Sequence, residues 1–315
     1  MIIHQLSQLP SPALSKALAD FELPFTYPLG AGASFRISHG TDYSRFFRAQ
    51  GEACCFIAEH EGKVVGSLAA VIRKLQIPGG NECPAAYFGD LKIVPSARNG
   101  RLLLQLARAA EKWVRPRVGA AFGVVMGGTV QAPDAYTGRA GIPGFQEVGR
   151  LAILRISRAP GDSKLDVRRF LSAPEEGMKC FQDLSREHFA CPLGEPRLRS
   201  EIAPTWLVHP DGSACGLLED TRKAKRLITN DGRELPSAHF SCFAYRSVST
   251  AVELLGVALQ ETARLGLPAL FLCVAESESK SLRDGLLGAE VLTAPATVYG
   301  AGLQPGTWNI NSSEI

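Results

Sequence analysis

One order of elements occurs twice along this chain, and that repetition limits the available folds more than any single motif. In the first half, residues 53–60 (ACCFIAEH) read as a strand, Glu61-Gly62 as a turn and residues 63–71 (KVVGSLAAV) as a second strand. A third strand, 85–94 (AAYFGDLKIV), stops at Pro95, which has no N–H to offer a ladder. Leu102, Leu103, Leu106, Ala109, Ala110 and Trp113 then fall on one face at helical spacing, with Arg101, Gln105, Arg108 and Lys112 on the other. Pro116 ends this helix. Residues 120–126 (AAFGVVM) are apolar without alternation, as in a strand covered on both sides. Segments 145–149 and 151–158 read as two more strands joined near Gly149. Ahead of all this, residues 1–30 carry four prolines and read as an irregular lead-in, followed by a short strand at 34–37 and a helix at 41–48.

The second half repeats the order. A strand at 205–209 meets a turn at Pro210-Asp211-Gly212, a second strand begins near Cys215, and a third covers 238–245 (AHFSCFAY). Val252, Leu255, Gly256, Leu259 and Ala263 mark a helix that Gly266 and Pro268 end. Residues 269–274 (ALFLCV) form another buried strand, a helix starts near Ser279, and Glu290-Val291-Leu292 begins a last strand. Between the halves, 157–163 (SRAPGDS) is polar and punctuated by Pro-Gly, so it reads as a linker. The division is into 1–158 and 164–315. Duplication of one α/β unit explains the repeated order; the competing account is one larger α/β domain.

A chain of 315 residues accommodates two such units. Apolar residues at 45% and charged residues at 21% suit packed cores. A net charge of +3 with interspersed signs argues against nucleic acid, and the absence of any 18-residue apolar run argues against a membrane span. The densest basic stretch, Arg222-Lys223-Ala224-Lys225-Arg226, reads as a solvated edge or loop, with an anion site as the alternative. Eight cysteines without a C-x-x-C pair, several within apolar runs, fit a reduced, cytoplasmic protein. No two histidines stand at zinc-ligand spacing, so no metal is expected. Gly30-Ala31-Gly32 lacks the preceding strand and following helix of a dinucleotide fingerprint.

Residues 87–103 (YFGDLKIVPSARNGRLL) resemble the acyl-CoA signature of the GNAT superfamily of N-acetyltransferases. There a strand ends in a Val-x-Pro-like corner, followed by Arg or Gln and a glycine-rich turn opening a long helix. Val94 and Pro95 match the corner, Arg98 the Arg/Gln and Gly100 one glycine; Arg101 and Leu103 stand where the family has small residues. Such a turn exposes unpaired N–H groups at a positive helix end, which suits a pyrophosphate. The resemblance implies an α/β (α+β) fold of two tandem acyl-CoA N-acyltransferase-like domains, each with a mixed central sheet flanked by helices, the second degenerate. It implies that Lys92, Ile93, Val94, Arg98, Asn99, Gly100, Arg101 and Leu102 bind acetyl-CoA or another acyl-CoA. Downstream, Ala135-Tyr136-Thr137 and Gly144-Phe145-Gln146-Glu147-Val148-Gly149 are similar to the family's late helix and strand. The resemblance makes Tyr136 the acid that protonates the leaving thiolate. Residues 243–249 (FAYRSVS) take the signature's place in the second half and contain no glycine.

Amine acylation needs a proton acceptor for the amine and a proton donor for the departing sulfur. Asp90, four residues before Val94, is the expected base; Glu59 or His60 is the alternative. Gly127-Gly128 is expected to let its strand splay from its neighbour. The expected activity is N-acetyl (or short acyl) transfer to a primary amine, either a small molecule or a peptide N-terminus or lysine. A catalytically silent acyl-CoA-fold sensor is the alternative, and peptidyl transfer from an aminoacyl donor is a third class that the low basicity disfavours.

Overall fold

The computed structural model describes residues 1–30, 33–98, 101–129, 131–157 and 165–315. Asn99, Gly100, most of the linker, Ala31 and Gly32 lie outside the described residues. The first half contains β1 (Ile2–Leu6), α1 (Pro12–Glu22), β2 (Thr26–Gly30), β3 (Ala33–Ser38), α2 (Arg45–Arg48), β4 (Glu52–His60), β5 (Lys63–Gln76), β6 (Glu82–Ile93), α3 (Leu102–Val114), β7 (Ala120–Met126), α4 (Pro133–Tyr136) and β8 (Gln146–Ser157). The second contains β9 (Leu171–Ser172), α5 (Pro174–Leu184), β10 (Phe189–Ala190), α6 (Pro196–Arg199), β11 (Thr205–Val208), β12 (Ala214–Glu219), β13 (Arg226–Thr229), β14 (Ala238–Tyr245), α7 (Val248–Arg264), β15 (Ala269–Ala275), α8 (Glu276–Gly285), β16 (Glu290–Ala301) and β17 (Trp308–Asn309).

Twelve strands of the main sheet run in the order β1-β4-β5-β6-β7-β16-β8-β15-β14-β12-β11-β9. β5 and β6 are antiparallel, β6 and β7 parallel, and β7 and β16 antiparallel. The second half has the same pattern: β12 and β14 antiparallel, β14 and β15 parallel, β15 and β8 antiparallel. The last strand of each half is thus exchanged: β16 completes the sheet of β7, and β8 completes that of β15. β8 and β16 pair with each other at the centre, from Glu290↔Ser157 to Gly300↔Gln146.

The pattern of apolar residues explains the layers. On α3, Leu102, Leu106, Ala110 and Val114 are buried against Phe56, Leu68 and Ala86 of the sheet. On α7, Leu254, Leu255, Ala258 and Leu259 pack on Leu154, Ile156, Leu270 and Leu272. The opposite face of the first-half strands forms the largest core with α1, α2, Phe189, Trp308 and Ile310. A separate three-stranded sheet, β13-β3-β2, joins the two halves across this face.

Several expectations need correction. The segments expected at 145–149 and 151–158 are one strand, Gln146–Ser157, not two. Gly149 lies within it because a Cβ there would come 2.3 Å from Trp308 Cδ1, so the glycine answers to a close approach, not to a chain break. The lead-in is ordered: Ser11 caps α1 by accepting from Leu14 N, with Pro12 at the helix start where a missing N–H costs nothing. α8 starts at Glu276 and β16 extends to Ala301, both longer than their sequence signals.

Candidate active site

Where β6 and β7 run side by side, the register is Ala85↔Ala120 to Phe88↔Gly123. Gly123 marks the last close approach, since a Cβ there would lie 2.8 Å from Phe88 O. Past this point β6 continues to Ile93 and β7 to Met126 without pairing, so facing main-chain groups are left for a bound molecule. Gly127 and Gly128 do not set this divergence. Gly127 packs against Pro295 of β16 and donates to its carbonyl at 2.7 Å, and Gly128 sits in a turn at φ +86°.

A cleft of about 1870 Å³ occupies the gap and opens on both sheet faces. On the α3 face it is lined by Arg98, Leu103, Ala107, Tyr136 and Phe145; on the other by Tyr27, Phe35, Asp90, Lys92, Lys225 and His239. The strand end becomes a 3-10 turn at Pro95–Ala97, and α3 opens with Arg101 at its cap position making no side-chain cap bond. Its first N–H groups are left without an intrahelical partner by geometry. Arg98 is exposed, its Nε donating to Ile93 O at 3.2 Å. Arg101 is exposed, Leu102 is buried in the core, and Ile93 and Val94 are half-buried.

Asp90 occupies a bulge. Ser67 pairs with Lys92 and Ala69 with Gly89, so Asp90 and Leu91 lie between rungs, with Asp90 at φ +52°. Ser67 Oγ steadies the bulge by donating to Asp90 O at 2.8 Å. The Asp90 carboxylate takes Lys92 Nζ at 2.6 Å and the Tyr43 hydroxyl. Burial alone would raise its pKa, but Lys92, then His39, then the bonds from Lys92 and Tyr43 hold it below the usual carboxylate range. Lys92 is correspondingly held above the ordinary lysine value, despite burial, chiefly by Asp90. Its charge is therefore engaged inside the protein. Beside them Glu22 Oε1 meets His39 Nδ1 at 2.5 Å. Glu22, His39 and Asp90 bring ligand-type atoms within 4.8 Å of one another, all already hydrogen-bonded or ion-paired within the protein.

Tyr136 ends the single turn of α4 and lines the cleft, half-buried. Burial, with Tyr299 and Asp134 nearby, pushes its pKa up to about 12, so the phenol keeps its proton at neutral pH. Glu59 and His60 are remote from the cleft lining; Glu59 pairs with His4 at 2.9 Å on β1.

Three cleft residues carry no local sequence signal. Lys225, in the stretch expected to be solvated, is buried, over the Phe46 ring at 4.5 Å and donating to Ile315 O. Burial, then the Arg199 charge, bring its pKa down to about 7. Arg222 in that stretch pairs with Asp220 and Glu201, while Arg226 reaches Glu201. His239, Phe271, Arg155 and Leu292 form one row across β14, β15, β8 and β16, and all four line the cleft. Arg155 Nη1 donates to Ser157 Oγ at 3.2 Å and its buried Nε has no partner. Among the described residues no carboxylate lies within ion-pair distance of it. The row is invisible in sequence because its members come from four separated segments.

No family model and no curated protein matches the chain. Solved structures do. N-myristoyltransferase of Saccharomyces cerevisiae with bound myristoyl-CoA superposes with a TM-score of 0.64 at 11% identity, over 99% of this chain and 87% of that one. A second structure of that yeast enzyme, with myristoyl-CoA and inhibitors, gives a TM-score of 0.60 at 11% identity, over 99% and 83%. The chain therefore has the GNAT-type N-acyltransferase fold, a mixed α/β sheet flanked by helices.

Proposed function

From that fold, we propose that this protein is an acyl-CoA-dependent N-acyltransferase, moving an acetyl or other short acyl group to a primary amine. The parting of β6 and β7 carries the reading: it makes a cleft through the sheet, with an uncapped helix start on one side and titratable groups on the other. In this reading the pyrophosphate of the donor lies at the start of α3, where Arg98, Asn99, Gly100 and Arg101 supply N–H groups and charge. The pantetheine arm lies along Lys92, Ile93 and Val94, replacing the missing ladder partner of β6. Leu102 holds the helix to the sheet. The amine attacks the thioester carbon from the opposite face, and Tyr136 gives its proton to the departing sulfur.

Asp90 is the sequence-derived base, and its bonds to Lys92 and Tyr43 support a second part for it, that of fixing charge and bulge geometry at the cleft wall. The acceptor is a small amine or a peptide N-terminus or lysine, and Arg155 favours one that also carries an anionic group. The division at 158 and 164 into an acyl-CoA-binding unit and a degenerate unit belongs to the same proposal. All eight cysteines are free thiols, which supports a cytoplasmic setting. Among the described residues no helix is long and apolar enough to cross a membrane.

Calorimetric titration with acetyl-CoA and longer acyl-CoA thioesters, joined to a thiol-release assay over a panel of amines, tests the reading. Binding and amine-dependent thiol release are expected. Binding without release across the panel would instead favour a ligand sensor, and no binding would remove the transferase.

A further inference from the structure

The acyl-transfer chemistry of the cleft leaves one group unused. His239 is buried except for the wall it gives to the acceptor face, where its ring stacks on Phe271 at 5.4 Å. The hydrogen bonds around it favour one tautomer. Ser312 has a single hydroxyl proton, which it donates to Phe271 O at 3.2 Å. With that proton given to the carbonyl, the same hydroxyl oxygen accepts at His239 Nδ1, 3.0 Å away. Nδ1 carries the ring proton, and Nε2 keeps its lone pair.

Resting on the transferase reading, we propose that His239 Nε2 is the proton acceptor for the attacking amine. The amine nitrogen forms a bond to the thioester carbon and the C–S bond breaks. The amine proton passes to Nε2, and the sulfur takes its proton from Tyr136. Exchange with water returns both side chains to their starting forms. Acidity of the amine rises as the C–N bond forms, so a weak base suffices at that moment.

The surroundings keep the imidazole ready. Burial first, then the positive charges of Lys225 and Arg199, hold its pKa well below the ordinary histidine range. No carboxylate within ion-pair distance of His239 opposes them among the described residues. Lys225 feels Asp90 as well, so the acceptor face is one electrostatic unit built from both halves. A core histidine whose only task is packing would need Nδ1 bonded and the ring stacked. It would have no reason to line a cleft beside Lys225 as well.

The test uses His239→Asn, whose amide can still donate to Ser312 but offers nothing at the Nε2 position. With the best amine of the panel, kcat is expected to fall about 10²-fold while acyl-CoA affinity by calorimetry is unchanged. The variant should depend on hydroxide across the neutral range, and added imidazole should restore part of the rate. Nitrogen NMR of the wild-type ring should show the Nδ1–H tautomer, neutral from about pH 6 to 8. A variant rate within about threefold of wild type with the same pH profile, or an Nε2–H tautomer, would overturn this role while leaving the transferase standing. A wild type that binds acyl-CoA but never releases thiol would overturn both.

Discussion

The two halves use the same device and put it to opposite ends. β6 carries a bulge at Asp90, φ +52°, and β14 carries one at Cys242, φ +50°. In each, four residues of that strand span three of its antiparallel neighbour: Gly89 to Lys92 against Ala69 to Ser67, and Ser241 to Ala244 against Leu217 to Cys215. Each strand then parts from its parallel partner, after Phe88 and Gly123 in one half and after His239 and Phe271 in the other. In the first half the gap is open. In the second, the segment 308–314 fills it: Asn311 Oδ1 accepts from Cys242 N at 2.7 Å, Asn309 Nδ2 donates to Phe243 O at 3.4 Å, and Ser312 holds Phe271 O. The helix starts differ too. Among the described residues α3 has no side-chain cap, whereas Ser247 caps α7 by accepting from Thr250 N. A vacant wedge beside an uncapped helix suits a ligand; a filled wedge beside a capped helix suits stability.

The plug itself is where this contrast breaks most easily. Arg199 is fully buried and bridges Glu219 and Glu314 at 2.8 and 2.9 Å, while Arg73 reaches Glu314 at 2.8 Å. Arg199→Met strands Glu219 without a cation, so a loss of about 3–5 kcal/mol is expected in urea unfolding. A loss below about 1 kcal/mol would show that the network does not hold the plug. Asn311→Ala leaves the buried Cys242 N–H unbonded. It should cost about 1–3 kcal/mol and raise amide exchange in β14 while sparing acyl-CoA affinity. On the open side, Tyr136→Phe should lower turnover at least about tenfold without weakening acyl-CoA binding; unchanged turnover would remove Tyr136 as the acid. Ser247→Ala should cost only about 1 kcal/mol, read as earlier exchange in the first turn of α7.

Acid should loosen the plug. Against burial, Arg73 and Arg199 hold Glu314 below its ordinary value. A depressed carboxylate stabilises fully above the unfolded pKa, about 4.3, and the contribution is lost as pH falls through the lowered folded value. Stability should therefore decline below about pH 4, with exchange rising first at 308–314. Acid exchange beginning instead in β6 would reverse the assignment.

What the sequence made legible was local. α3 declares itself because its apolar period of 3.6 residues matches its buried face; the continuous apolar run of β7 marks a strand, but only Phe122 in it is buried, since the rest of β7 lines the cleft. Asp90 and Tyr136 were found through short-range motifs, and both line the one cleft. What stayed hidden was long-range. Gly149 looks like a break because Trp308, which demands it, lies far along the chain. Lys225 looks solvated because its apolar covering comes from α2. His239 sits in an apolar strand and meets its hydrogen-bond partner Ser312, 73 residues away, only in the fold. No local pattern reveals that β8 and β16 trade places.

That trade has a consequence for synthesis. β7 has no permanent neighbour on its outer edge until Glu290–Ala301 has left the ribosome, and β15 can close on β8 only once the second half has been made. Nascent first halves carry a bare edge for most of translation, inviting pairing between chains. Two pieces cut in the linker and expressed together should assemble into one working particle, and either alone should clump.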